Sequence, residues 1–309
     1  MHLGHAWSFL CTWALARESG WRIILRLEDL DASRASVEAE RDALWMLEWL
    51  GIDWDGPLVR QSQRGEFYRE RMRDLALLGR VFEAPHSRSQ LRAAQEQRAT
   101  DESNAPNEGD SVVRFPASLR PPREAWRFSD EQINHRFALE PASVRVVDEL
   151  LGERMFDPAA IWGDPLVWLK SGVPSYQLAV STDDCAMGIT DVVRGEDLLE
   201  SAALQQVLHE QFDARERTRW WHLPLVRDES GRRLAKRHDA LAIATLAERG
   251  ATADRVRGLV AWWAGVIPEC APLPRDSTPR LKWERALRTH DRRPLLTTPA
   301  LLDWVCGRA

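Results

Sequence analysis

Two histidines, His2 and His5, lie three positions apart around Gly4 at what reads as the opening of a helix. Residues at that spacing share a helix face. Both imidazoles can therefore point where the free N–H groups and the positive end of the helix dipole attract an anion. The glycine between them lets a nucleotide approach the backbone closely. Alone, such a pair at a terminus is mundane, and a second cluster gives it meaning. Arg233-Leu234-Ala235-Lys236-Arg237 reads as a flexible basic loop following the last predicted strand. Of 42 basic residues, only Lys170, Lys236 and Lys282 are lysine, so Lys236 asks for a reason. A compact, mobile ammonium is what a transferring phosphoryl group needs as charge develops. A third group, Glu28-Asp29-Leu30-Asp31, puts carboxylates at the end of an apolar run, where open α/β sheets hold their ligands.

The elements that must carry these groups alternate. The apolar residues of 4–18 suit a largely buried helix closed by Gly20, and R-I-I-L-R-L at 22–27 reads as a strand. Helices are predicted over 36–50 and 64–78, closed by Gly51 and Gly79. Residues 100–111 are polar and turn-rich and read as a mobile loop, and 81–157 lacks βα alternation, as an insertion would. Strands are then predicted at 176–182, 188–193 and 221–226, with a helix over 196–212 between the last two. After the basic loop the chain reads as helices interrupted by Pro268, Pro272 and Pro274. This divides the chain into 1–80, 81–157, 158–240 and 241–309, without an internal repeat.

Composition bounds the partners. The 309 residues, 44% hydrophobic, suffice for about two domains, and the net charge of −5 argues against a protein that coats nucleic acid over its whole surface. RNA contact would need a local basic face. Cys11, Cys185, Cys270 and Cys306 are too scattered for a disulfide frame or a zinc knuckle, so reduced cytoplasmic thiols are expected. No run approaches the ~20 apolar residues of a membrane span, and no leader is expected.

An H-x-G-H opening with a basic loop after the final strand resembles the class I aminoacyl-tRNA synthetases, and further segments resemble their glutamate branch. These are Arg26-Leu27-Glu28-Asp29-Leu30-Asp31, Arg60-Gln61-Ser62, Tyr176-Gln177-Leu178-Ala179-Val180 with Asp183-Asp184, and Asp191-Val192-Val193-Arg194-Gly195-Glu196-Asp197-Leu198-Leu199. In order, they cover most of residues 1–265. The resemblance implies an α/β, Rossmann-like catalytic domain with an inserted acceptor-stem-type subdomain (81–157) and a short helical C-terminal tail.

It also implies roles. His2, Gly4 and His5, with Arg233, Leu234, Lys236 and Arg237, would bind ATP, His2, His5 and Lys236 offsetting charge at the α-phosphorus. Glu28 would take the α-ammonium of L-glutamate, Arg194 a substrate carboxylate and Tyr176 a hydroxyl contact, while Asp183 and Asp184 would brace the fold. Mg²⁺ would accompany ATP. The chain ends soon after Arg237, which resembles a truncated paralogue that makes glutamyl-adenylate without tRNA. That paralogue esterifies glutamate to the queuosine base in the anticodon loop of tRNA(Asp). A monomer is expected. The alternatives are a catalytic fragment of a conventional glutamyl-tRNA synthetase and a non-catalytic paralogue that binds tRNA or a protein.

Two departures carry expectations. Members of the branch begin with a strand and an arginine-containing A-P-S-P-T-G stretch, missing here, so the chain as given is expected to be poorly stable and nearly inactive. Some members hold zinc with cysteines after V-Y-P, but Val81-Phe82-Glu83-Ala84-Pro85-His86 offers only His86, so no zinc is expected.

Overall fold

The computed structural model describes residues 1–31, 36–87, 89–91, 114–212, 217–232 and 241–308. They form two compact units, one of Met1–Arg60, Val193–Glu196 and His222–Ala309, the other of Gln61–Val192 and Asp197–Trp221.

The first unit is built around the helix Leu3–Ser19. Its apolar residues leave no polar stripe, and Leu3, Trp7, Leu10, Cys11, Trp13 and Leu15 are all buried. Gly20, at φ 70°, closes it in the left-handed conformation that glycine adopts without strain. The following extended segment runs beside residues 55–60. Asp55 N–H donates to Ile23 O (2.8 Å) and Val59 N–H to Leu25 O (3.0 Å), but only Arg26–Leu27 pair as a strand, in parallel with Val59–Arg60. The strand expected over 22–27 is thus a two-residue pair with an extended lead-in. The helix Val37–Trp49 starts where expected, with Ser36 Oγ accepting from Ala39 N–H.

The C-terminal segment belongs to this unit. The helices Ile243–Glu248, Ala253–Trp263, Trp283–Arg288 and Pro299–Val305 follow in turn. Ala253–Trp263 packs on the first helix, with Trp263 edge-on to Trp7. Buried Arg257 donates to Leu50 O (2.7 Å) and Leu273 O (3.0 Å), tying that helix to two loops. A β-carbon on Gly258 would lie 1.8 Å from Ala271 O, so the chain passes there only with glycine. A short strand, Leu295–Thr297, pairs in parallel with Val226–Asp228. The tail is therefore not all helical, and three residues are too few for an alternation to register in the sequence.

In the second unit, the antiparallel strands Val81–Glu83, His135–Phe137, Leu166–Leu169 and Val173–Pro174 form one sheet in that order. A hairpin, Val144–Asp148 with Gly152–Phe156, continues into a second sheet through Arg219–Leu223 and then Asp191–Gly195. Against this sheet the helix Leu199–Gln211 buries Ala202 and Ala203 beside Val146 and Trp220. The largest correction falls at 176–182, which is not a strand but the start of the helix Tyr176–Met187. Ser175 Oγ caps it by accepting from Leu178 N–H, and Gly188 ends it at φ 65°. Residues 177–184 are buried on every side, so no helical stripe shows in the sequence, and Val180 and Thr182 mimic a strand. Because Gly188 serves as that cap, the next strand begins at Asp191, not at 188. No helix among the described residues is long and apolar enough to cross a membrane.

Candidate nucleotide and amino-acid site

The first helix opens on a reciprocal cap made by two imidazoles. Gly4 N–H donates to His2 Nδ1 (3.0 Å), while His2 N–H donates to His5 Nδ1 (3.1 Å). This is the geometry of a capping box, with histidines in place of the usual hydroxyl and carboxylate. The rings lie 3.9 Å apart, centroid to centroid. Since each Nδ1 accepts, each ring carries its proton on Nε2, and the pair presents N–H donors rather than lone pairs. The first turn holds no acidic residue to compete for an anion. Gly4 has a further reason beyond nucleotide approach. A β-carbon there would sit 2.9 Å from His2 Cε1, so any larger residue would push the ring from its place over the helix.

The residues of the basic loop that carry the expected ATP contacts, Arg233, Leu234, Lys236 and Arg237, lie outside the described residues. Both ends of the loop are described, and each is tied to the first helix or its base. On the near side, Trp7 Nε1–H donates to Pro224 O (2.9 Å), and Asp228 exchanges hydrogen bonds with Arg232. On the far side, His2 bridges Ala242, and Ile243 N–H donates to Met1 O (3.0 Å). The chain that leaves the loop thus pairs with the residue that begins the histidine cap.

Glu28 directly follows the strand Arg26–Leu27, at the C-terminal end of a parallel pair, where the sequence placed it. Its side chain is exposed and lies 3.3 Å from Arg26 Nη2. Arg194 stands in the strand Asp191–Gly195, and its Nε–H donates to Nε2 of His222 (3.1 Å), a histidine with no exposed surface. Arg292 Nη1 donates to His222 O (3.4 Å), and Arg292 pairs with Glu196. His222, Arg292 and Glu196 escaped the sequence reading. The only sign was a histidine inside the apolar strand R-W-W-H-L; the Arg292–Glu196 pair spans too much sequence to leave one.

In the second unit Tyr176 is the first residue of its helix, with an exposed side chain, and so sits on a helix rather than on the expected strand. The same helix carries Asp183, fully buried, which accepts from Gln61 Nε2 (3.0 Å), Arg64 Nε (2.7 Å) and Tyr68 O–H (2.8 Å). Burial, and the carboxylate beside it, push the Tyr68 phenol well above its usual range, which keeps it a donor. Asp183 therefore braces the fold as expected, and the Arg60-Gln61-Ser62 segment supplies one of its donors. Glu83 accepts from Ser129 O–H (2.7 Å), Ala84 is buried and His86 lies against Phe115. Among the described residues, no group of three or more His, Cys, Asp or Glu is placed to hold a metal ion.

A histidine-capped helix opening against the exit of a basic loop, on an α/β fold, defines a class. Residues 1–256 match the family model described as tRNA synthetases class I (E and Q), catalytic domain, and the chain belongs to that family. It is an aminoacyl-tRNA synthetase-like ligase that uses ATP. More particularly, it is 35% identical to the glutamyl-Q tRNA(Asp) synthetase of Nitratidesulfovibrio vulgaris, over 98% of this chain and 94% of that protein. It is 36% identical to the protein of that name from Symbiobacterium thermophilum, over 97% and 94%. In fold it is similar to the crystal structure of glutamate-tRNA synthetase from Elizabethkingia anophelis (TM-score 0.74, 23% identity), covering 99% of this chain and 67% of that one.

Proposed function

We propose that the protein activates L-glutamate with ATP and Mg²⁺ and transfers it to the queuosine base in the anticodon loop of tRNA(Asp), as a cytoplasmic monomer. A glutamate carboxylate oxygen attacks the α-phosphorus of ATP in line. The new O–P bond forms as the bond to the β-phosphate bridging oxygen breaks, releasing pyrophosphate and leaving glutamyl-adenylate. A hydroxyl of the modified base then attacks the activated carbonyl. AMP leaves, the hydroxyl proton passes to solvent, and an ester remains.

In this reading, the Nε2–H donors of His2 and His5 face the phosphates, and Lys236, with Arg233, Leu234 and Arg237, binds ATP and offsets its charge. Glu28 takes the α-ammonium of glutamate, Arg194 a carboxylate and Tyr176 adds its hydroxyl. Residues 81–157 meet the RNA, and 241–309 complete the catalytic unit. The observation that carries the reading is the reciprocal His2–His5 cap, joined through backbone to Ala242 at the exit of the basic loop. The similarity to proteins named glutamyl-Q tRNA(Asp) synthetase, over nearly their full length, supports the acceptor.

The experiment is ATP–pyrophosphate exchange with each amino acid and no tRNA present, by the chain as given and by the same chain preceded by the strand and A-P-S-P-T-G stretch of the branch. Exchange that depends on glutamate supports the reading. Exchange that needs tRNA, or that another amino acid drives equally, refutes it.

A further inference from the structure

We infer that His222 is a positioning residue for Arg194: its buried imidazole holds the guanidinium by Nε and so fixes the edge offered to the substrate carboxylate. The inference rests on the proposed role of Arg194 in binding glutamate.

An arginine side chain loses rotamer freedom when it is fixed, a cost borne at each binding event unless the protein has already met it. Here a fixing contact is built in. Arg194 Nε–H donates to His222 Nε2 at 3.1 Å, and His222 has no exposed surface. Because Nε2 accepts, the ring is the neutral tautomer with its proton on Nδ1. With Nε engaged, a carboxylate is directed to the Nη1–Nη2 edge, one of the two bidentate faces that a guanidinium can offer.

The anchor is itself anchored. His222 lies in the strand Arg219–Leu223 between buried Trp221 and Leu223, and its carbonyl accepts from Arg292 Nη1. Arg292 also pairs with Glu196, two residues beyond Arg194 on the same stretch of chain. Arg292 holds its place through a left-handed backbone (φ 57°) and an N–H donated to His290 Nδ1 (2.9 Å), while His290 Nε2 bonds Trp263 O (2.8 Å). An apolar side chain would fill the position of His222 in this strand as well. An imidazole aimed at an arginine is explained by the work that arginine does.

The test is glutamate-dependent ATP–pyrophosphate exchange by His222→Leu, His222→Gln and His222→Asn, with Arg194→Ala alone and combined with His222→Leu. Losing a hydrogen bond to a charged group corresponds to about ten- to a hundredfold in affinity. His222→Leu is expected to raise the KM for glutamate by about that factor while kcat and the KM for ATP change little. Gln, whose amide oxygen reaches the place of Nε2, should restore most of the loss, and the shorter Asn should not. In the Arg194→Ala background His222→Leu should add nothing. An unchanged glutamate KM in His222→Leu, additive effects, or equal behaviour of Gln and Asn overturns the inference. Should His222→Leu fail to fold, the Gln–Asn comparison still decides. An Arg194→Ala protein with an unchanged KM would instead sink the reading of Arg194 itself, a distinct result.

Discussion

A β-carbon on Gly4 would meet the capping ring of His2, so the smallest substitution there tests the site sharply. Gly4→Ala is expected to push the imidazole off Gly4 N–H, costing about 1 kcal/mol of cap and lowering the exchange rate by up to roughly 10²-fold. Exchange kinetics and a thermal melt read the two effects; wild-type exchange would show that the cap does not orient the phosphates. Lys236, the one lysine of the basic loop, carries a complementary prediction. Lys236→Ala should slow adenylate formation by roughly 10²–10³ with less effect on glutamate affinity, the pattern of a group that acts on developing charge. A raised glutamate KM with unchanged kcat would assign it to ground-state binding. What the residue scale hid was pairing across the sequence. His2, His5, Glu28 and Arg194 are legible as chemistry-bearing types in short motifs. The hold of His222 on Arg194 exists only once distant segments meet, and the tautomer of each capping histidine is set by local hydrogen bonds that residue types alone do not show.

Helix Tyr176–Met187 depends on one carboxylate. Asp183 gathers an amide, a guanidinium and a phenol in the interior, so Asp183→Ala should destabilise the protein by about 3–5 kcal/mol, the scale for breaking a buried pair. A thermal or urea melt checks this, and an unchanged Tm would deny the bracing role. A second element-level prediction concerns pH. His135, in the sheet of the second unit, is buried against Phe128, and desolvation lowers its pKa. The unfolded chain takes up a proton below about pH 6.5 that the folded ring resists, so this group's contribution to stability is present above that pH and lost as pH falls. Urea midpoints from pH 7 to 5 should decline, and His135→Phe should flatten the decline; an equal slope in the variant would contradict the assignment. Elements were legible where local chemistry marks them. Ser36 starts a helix and Gly20 ends one at the expected places. Legibility failed where burial on all sides erased the period, as at 177–184, and where a strand is only three residues long, as at Leu295–Thr297.

Across the whole molecule, the C-terminal segment belongs to the same compact unit as the first helix and is not an appendage. Leu295–Thr297 adds a strand beside Val226–Asp228, which leads toward the basic loop, and Arg292 reaches Glu196 and the His222 carbonyl. Family membership establishes a synthetase-like ligase, and its acceptor remains the proposed part of its function. A splayed, single-stranded anticodon loop is the kind of RNA that a compact protein reads by its bases. The protein, supplied with ATP, Mg²⁺ and labelled glutamate, can be offered tRNA(Asp) with and without queuosine, and tRNA(Glu). Label is expected on queuosine-containing tRNA(Asp) alone, retained after the 3′-terminal adenosine is removed. Label on tRNA(Glu) that disappears with its terminal adenosine would contradict it.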